Sequence, residues 1–162
     1  MADVFDKVTR SRIMRAVRIA QTDPEDRLAE ALRRCGFRFQ KNDRHVLGRP
    51  DICFRTVRLA VFVDGDFWHG RAWFERGEAP ATNPEFWIRK FELNHRRDRT
   101  VDRALRRSGW SVLRLWASEI RKAPQKAASK VRARLRRLAR EGRQSSSVRG
   151  SRRSVQAARR SG

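Results

Sequence analysis

No apolar run in this chain approaches the 18 or so residues that a membrane-spanning helix requires, so no transmembrane segment is predicted. The charged N-terminus lacks the apolar stretch of a signal peptide, which predicts a protein that stays in the cytoplasm. Cysteine is scarce as well. Cys35 and Cys53 are the only two, each within an apolar element, and neither stands in a zinc-ligand spacing. Two buried thiols in a reducing compartment is the favoured reading, with a disulfide as the alternative. Acids are outnumbered, 18 Asp and Glu against 40 Lys and Arg, for a formal net charge of +22.

That excess is unevenly placed. Residues 121–162 carry 15 Lys and Arg and a single acid, Glu141, while residues 1–120 carry 25 and 17 acids. A polyanionic partner is implied. Nucleic acid fits better than a membrane surface, because no basic segment is paired with a large, bulky apolar face. A basic tail alone would support this weakly; the separate excess in the first 120 residues strengthens it. At 162 residues the chain is long enough for one domain with a real core, and it shows no internal repeat.

Three of the acids stand at the ends of two apolar stretches. Gly48-Arg49-Pro50-Asp51 precedes an apolar stretch, Ile52-Cys53-Phe54, and a second one, Leu59 to Val63, follows. These read as two short buried strands joined at Arg55-Thr56-Val57-Arg58. Asp51 thus begins one strand, and Asp64, Asp66 and His69 cluster just after the next. Gly65 breaks the second strand, so Phe67-Trp68-His69 need not continue it.

Helices surround this segment. Residues 1–20 read as an arm entering a short helix, capped by Thr9 or Ser11, with Ile13, Met14 and Val17 on one side. A second helix opens with Asp23 as cap and Pro24 at its first position, carries Leu28, Ala31, Leu32 and Cys35 inward, and ends at Gly36. Glu25 lies three, seven and ten residues before Leu28, Leu32 and Cys35, so it points along the core-facing side. The bland alternative is an acid favoured by the helix dipole. Residues 70–82 read as an irregular loop. Asn83-Pro84 then open a helix that runs to Ser108, with inner stripe Trp87, Phe91, Asn94, Asp98, Val101 and Leu105. Asn94 and Asp98 occupy core-facing positions, where an unpartnered amide or carboxylate would cost about 1–3 kcal/mol. They must be hydrogen-bonded, within a site or within a structural network. Trp110 to Trp116 reads as a third buried strand, and residues 125–140 as a basic amphipathic helix ending at Gly142. From Gln144 onward Ser, Arg and Gly dominate, and no structure is expected. The order helix, strand, strand, helix, strand, helix predicts an α/β fold, a mixed sheet with helices on its faces.

Phosphodiester hydrolysis needs charge neutralisation at the phosphate, an activated water and help for the leaving oxygen. Mg²⁺ on hard oxygen ligands supplies the first and third, and an imidazole draws the proton from water. Asp51 and Asp64 are suitable ligands at adjacent strand ends, and His69 titrates near neutral pH. His45 and His95 lack such a setting and read as surface or phosphate-contact residues. Phe67-Trp68, joined by Trp87, are candidates for a wedge between bases; packing is the plainer reading. For Trp110 and Trp116, within strand periodicity, core packing is the stronger reading.

At these residues the sequence resembles the very short patch repair (Vsr) endonucleases of bacteria, which nick one strand at T:G mismatches. The ordered match comprises Thr9 to Val17, Gly48 to Asp51, Val61 to Gly70, Glu85 to Lys90, Asn94, Arg97-Asp98 and Gly109 to Trp116. It covers roughly residues 1–122. The resemblance implies a restriction-endonuclease-like mixed sheet carrying a Mg²⁺ site. By position it implies Asp51 as metal ligand with the Val63 backbone carbonyl, Asp64 as a further candidate, and His69 as general base. Glu25 and Asp98 match supporting residues around the metal and its waters. Phe67, Trp68 and Trp87 match aromatics that intercalate beside the mismatch, and Asn94 joins the DNA-contacting set. Met14 belongs to an arm that clamps DNA from the minor-groove side.

Two departures stand out. Known members hold a structural zinc on Cys and His residues; the matching positions here are Asp66, Arg71, Trp73 and Ala117, so no zinc is expected, and Trp73 or Phe74 packing is the candidate brace. Asp64 stands where some members have His, which would strengthen metal binding or alter the role of His69. The expected organisation is a clamping arm and short helix over 1–20, an endonuclease domain over 21–141, and a disordered basic tail over 142–162. The expected activity is Mg²⁺-dependent nicking 5′ to the T of a T:G mismatch left by 5-methylcytosine deamination. The expected partners are duplex DNA and the mismatch-repair and cytosine-methylation machinery, with the protein a monomer in the bacterial cytoplasm and nucleoid. The rivals are a restriction-type or general nuclease on the same fold and a non-catalytic DNA-binding protein.

Overall fold

Alternation along the longest buried strand determines what sits on each side of the sheet. In the computed structural model, which describes residues 23–158 and the side chains of residues 23–142, β3 spans Leu59–Asp64. Leu59 and Val61 enter one buried cluster, Ala60 and Phe62 another, as a period of two requires. The first cluster joins Leu28, Ala29, Ala31 and Leu32 of α1 (helical residues 23–34), Ile52 and Phe54 of β2 (Ile52–Phe54), and Leu115 of β4 (Ser111–Trp116). Ile120 of α4 (Ala117–Lys122) and Ala127, Ala128 and Val131 of α5 (Pro124–Ala158) complete it. The second sets Cys53, Ala60, Phe62 and Val112 against Leu105 of α3 (Pro84–Arg107). The sheet therefore lies between α1, α4 and α5 on one face and α3 on the other, a mixed α/β architecture of the restriction-endonuclease-like kind.

The strand order is β1-β2-β3-β4, with β1 at Gln40–Lys41. β1 and β3 pair antiparallel with β2, Gln40 opposite Cys53 and Ile52 opposite Val61. β4 runs parallel to β3, from Leu59 opposite Ser111 to Asp64 opposite Trp116. A parallel pair needs a crossover, and α2 (Arg71–Arg76) with α3 supplies it. Both strands therefore end at the same edge, where the acids of the Val63-to-His69 segment emerge.

The structure corrects several expectations. Cys35 is exposed, and only Cys53 is buried, both thiols free; the inward face of α1 turns through Ala29 instead. Asp23 is itself helical, its carboxylate accepting from Arg27 Nε at 2.7 Å. Residues 71–76, expected within a loop, form α2. Helix α3 opens at Pro84 as expected, yet Asn83 makes no side-chain cap bond; it takes φ 52, a left-handed conformation asparagine tolerates. Gly36 and Gly109 end their helices at φ 79, but Gly142 is not left-handed, and α5 continues to Ala158 through the expected disordered tail. A glycine inside a helix costs about 1 kcal/mol against alanine, too little to stop one by itself. The arm over 1–20, Met14 included, lies outside the described residues.

Candidate active site

Gly48 and Arg49, at φ 78 and 50, turn the chain into β2. A Cβ at Gly48 would come 2.5 Å from Val101 Cγ1, so glycine is required by space as well as by conformation. Pro50 is fully buried, and Asp51 Oδ2 accepts the Val63 N–H at 2.6 Å, tying the start of β2 to the end of β3. Glu25 reaches the same place from α1. Burial, reinforced by the charge of Asp51, pushes the Glu25 carboxyl up to about 7. Burial likewise raises Asp51, with the Val63 N–H pulling the other way and Asp64 adding repulsion. Lys41 is near enough to favour the charged form of Glu25, but its ammonium pairs with Asp26.

On the α3 side of β3 lies a second group. By alternation Asp64 and Arg114 share the face of Phe62 and Val112, toward Asp98 and Asp102 of α3. Asp64 and Asp102 are buried, and His69 and Asp98 half-buried. His69 Nδ1 lies 2.7 Å from Asp98 Oδ2, and its Nε2 lies 3.8 Å from Asp64 Oδ1. Arg114 Nη1 donates to Asp64 Oδ1 at 2.7 Å, while Nη2 and Nε donate to Asp102 Oδ1 at 3.0 and 3.1 Å. Burial opposes charge on His69, but the Asp98 bond and the Asp64 charge outweigh it, leaving the imidazole above its ordinary value. Asp98 is held below the carboxylate range, its burial outweighed by His69 and Arg114. Burial raises Asp64 despite Arg114. The donor atoms of Asp64, His69 and Asp98 lie within 4.8 Å of one another, a grouping able to hold a metal ion. A cavity of about 230 Å³ opens beside them. A larger one, about 570 Å³ between β1–β2 and α5, is lined by no acid or histidine among the described residues.

The segment between the strands is fastened at both ends. His69 N–H bonds the Gly65 carbonyl at 3.0 Å, and Asn94 Nδ2 donates to the Trp68 carbonyl at 2.8 Å, which accounts for the inward Asn94. Gly70, at φ 62, presses so closely on Phe91 that a Cβ would meet the ring at 2.6 Å. Phe67, Trp68 and Trp87 come together as expected, with Phe67 4.7 Å from Trp87 and Trp68 5.9 Å from it, ring centre to ring centre. Phe86, 61% exposed, joins them, while Phe91 stacks below Trp87 and is buried. The exposed part is an aromatic face beside the acids.

Phe74 is not the brace at the zinc-matching positions; it is exposed and packs on His95. Arg71 takes that place. It donates to Asp66 at 3.1 Å, Ser118 Oγ at 2.9 Å, Glu119 at 3.2 Å and Glu75 at 2.9 Å, and lies over the Trp116 ring. Asp66 also accepts from the Ser118 N–H at 2.9 Å. A guanidinium at the centre makes this set unfit for zinc, and its ionic bonds tie the segment to α4 instead. His45 and His95 are exposed; Trp110 and Trp116 are half-buried, Trp110 packing against the second core cluster.

Reading the sequence missed Arg114, Asp102, Arg71, Ser118 and Phe86. Signals existed for two of them. Arg114 is a lone charge inside an apolar strand, and Asp102 lies one helical turn beyond Asp98.

Residues 2–75 match the family model described as DNA mismatch endonuclease Vsr. A type II nicking enzyme of Neisseria meningitidis serogroup C, V.NmeDIP, is 42% identical over 135 residues, covering 82% of this chain and 91% of that protein. The DNA mismatch endonuclease Vsr of Escherichia coli K12 is 40% identical over 121 residues, 75% of this chain and 77% of that protein. V.NaeI, a type II nicking enzyme of Lentzea aerocolonigenes, is 43% identical over 115 residues and 68% of each.

Proposed function

Because the chain belongs to the Vsr family of DNA mismatch endonucleases, and is on that account a DNA endonuclease, we propose that it nicks one strand of duplex DNA on the 5′ side of the T of a T:G mismatch. Such mismatches arise when 5-methylcytosine deaminates, so the nick would begin short-patch repair in the bacterial cytoplasm, beside the cytosine-methylation machinery. The protein acts as a monomer.

One observation carries the reading: Asp64 links the Glu25–Asp51 pair to the His69–Asp98 pair, its charge acting on Asp51 and its carboxylate 3.8 Å from His69, beside aromatics of which Phe67 and Phe86 are exposed. Two half-buried carboxylates that share a hydrogen bond, Glu25 raised by the charge of Asp51, with no cation bonded to either among the described residues, fit a hard divalent cation. Asp51, the Val63 carbonyl and Glu25 are the groups to hold it. Mg²⁺ there would neutralise the scissile phosphate and its leaving oxygen. Asp98 accepts from His69 Nδ1–H and so leaves the Nε2 lone pair to take a proton from water. Asn94 holds the Trp68 carbonyl, so the aromatic wedge and the base move as one unit. Phe67, Trp68 and Trp87 unstack the weakened mismatch step, where the cost of wedging is smallest.

The test is direct. T:G-mismatched, T:A and C:G duplexes are incubated with protein and Mg²⁺ and resolved on denaturing gels. A nick confined to the strand bearing the mismatched T is expected. Equal cutting of all three would replace this reading with a general nuclease, and binding without cutting in any divalent metal would end the catalytic reading.

A further inference from the structure

Among the described residues, Arg114 is the one cation placed among three acids beside the site. Its side chain is 22% exposed, its guanidinium lies 4.7 Å above the Phe62 ring, and it spans Asp64 at 2.7 Å, Asp102 at 3.0 Å and Asp98 at 3.5 Å. The fork donates in fixed directions to fixed partners, as guanidinium does and a flexible ammonium does not. Its register is set by the sheet: Arg114 stands opposite Phe62, two residues before Asp64 on the same face.

The same acids contribute to the group whose donor atoms lie within 4.8 Å, Asp64, His69 and Asp98. A divalent ion there needs free carboxylate oxygens. Three of the four carboxylate oxygens of Asp64 and Asp98 are engaged: Asp64 Oδ1 accepts from Arg114, Asp98 Oδ1 faces Arg114 Nη2, and Asp98 Oδ2 is engaged by His69. An ion in that place would also take the Nε2 lone pair of His69, which could then accept no proton from water.

We propose that Arg114 is a built-in cation that fills this acid group, keeps metal away from His69, and so confines the catalytic metal to Asp51. It is a positioning residue, acting through Asp64 and Asp98, and the assignment rests on the reading of Asp51 as metal ligand and His69 as base. It also gives Asp64 a role: the acid anchors Arg114 rather than binding metal.

Mn²⁺ titration of the full chain without DNA, followed by the electron paramagnetic signal of free Mn²⁺, tests this independently of cleavage. Arg114→Gln is expected to bind one Mn²⁺ more than the unaltered chain, and Arg114→Gln with Asp64→Asn to lose it again. Asp64→Asn alone should bind Mn²⁺ as the unaltered chain does. No gain in Arg114→Gln overturns the proposal, and so does loss of the native Mn²⁺ in Asp64→Asn. Should circular dichroism show Arg114→Gln unfolded, the Asp64→Asn titration decides by itself, retention supporting and loss overturning. An error in the mismatch reading would appear instead as failure to nick T:G duplex, with these titrations unaffected.

Discussion

Two groups of acids flank the end of β3, and what separates them is a cation bonded to the acids themselves. On the α1 side, burial drives both Glu25 and Asp51 toward the protonated form, aided at Glu25 by the charge of Asp51 and at Asp51 by that of Asp64. On the α3 side, Asp64, Asp98 and Asp102 surround Arg114 and His69, and Asp98 is held well ionised. Burial is common to both; on the α3 side Asp98 is lowered first by its bond to His69 and then by Arg114, while Asp64 stays raised although Arg114 opposes its burial. An acid group with its own cation is complete, whereas one without it is poised for an ion from solution. On the proposed reading the first group is the place for a metal and the second the place that orients a base.

The largest effect should come from breaking each group at its centre. Asp51→Asn is expected to reduce nicking by about 10³-fold or more, because on the proposed reading it removes the charge that holds metal at the phosphate. Asp98→Asn should cost about 10²-fold to 10⁴-fold, since the imidazole then loses the acceptor that fixes its tautomer. Gel-shift affinity for a T:G duplex should survive both. The two should also part on Mn²⁺ binding, lost in Asp51→Asn and kept in Asp98→Asn. Loss in both would merge the groups into one metal centre and break the comparison.

Arg71 provides the control for what an arginine among acids does when it stands away from the chemistry. It too gathers three carboxylates, Asp66, Glu75 and Glu119, yet these tie a loop to α4. Arg71→Ala should lower the melting temperature by a few degrees and weaken binding to mismatched DNA, because Phe67 and Trp68 lose their footing. Mn²⁺ binding should not change. A gain of Mn²⁺ in this variant would mean that removing any partly buried arginine creates a metal site, and Arg114 would lose its special standing.

Much of this arrangement is legible in the order of residues alone. The four-three stepping of α3 sets Asn94 and Asp98 inward, and both are half-buried with partners, Trp68 and His69. The position of Glu25 relative to Leu28 and Leu32 puts it on the core side, and it meets Asp51 there. What escapes is of another kind. β1 has two residues, too few for any period to show, and α2 is a six-residue helix with no apolar stripe. Arg71 and Ser118 are 47 residues apart, a pairing made by the crossover and invisible to spacing. Arg114 is readable as a charge in an apolar strand, but its meaning requires the parallel register that brings it beside Asp64. Periodicity tells which side a residue faces; it does not tell who stands opposite.

The smallest effect tests the uncompensated group without touching catalysis. An acid whose carboxyl is raised to about 7 from 4.5 in the folded chain binds a proton there that the unfolded chain has already released. Across that window the folded state holds more protons, so its stability falls as pH rises and levels off above about 7. His69, also raised, loses its own contribution in the same direction as pH climbs past its folded value. The two are separable by Glu25→Gln, which keeps shape and hydrogen bonding but cannot ionise. Melting curves in a chelator from pH 5 to pH 8 should show the native chain losing a few degrees more than Glu25→Gln over the interval, with the variant the more stable at the alkaline end. Parallel curves would mean that Lys41 compensates Glu25 in solution more fully than its pairing with Asp26 allows here. Adding Mg²⁺ should flatten the native curve toward that of the variant, because an ion that relieves the repulsion between Glu25 and Asp51 stabilises most where both are charged.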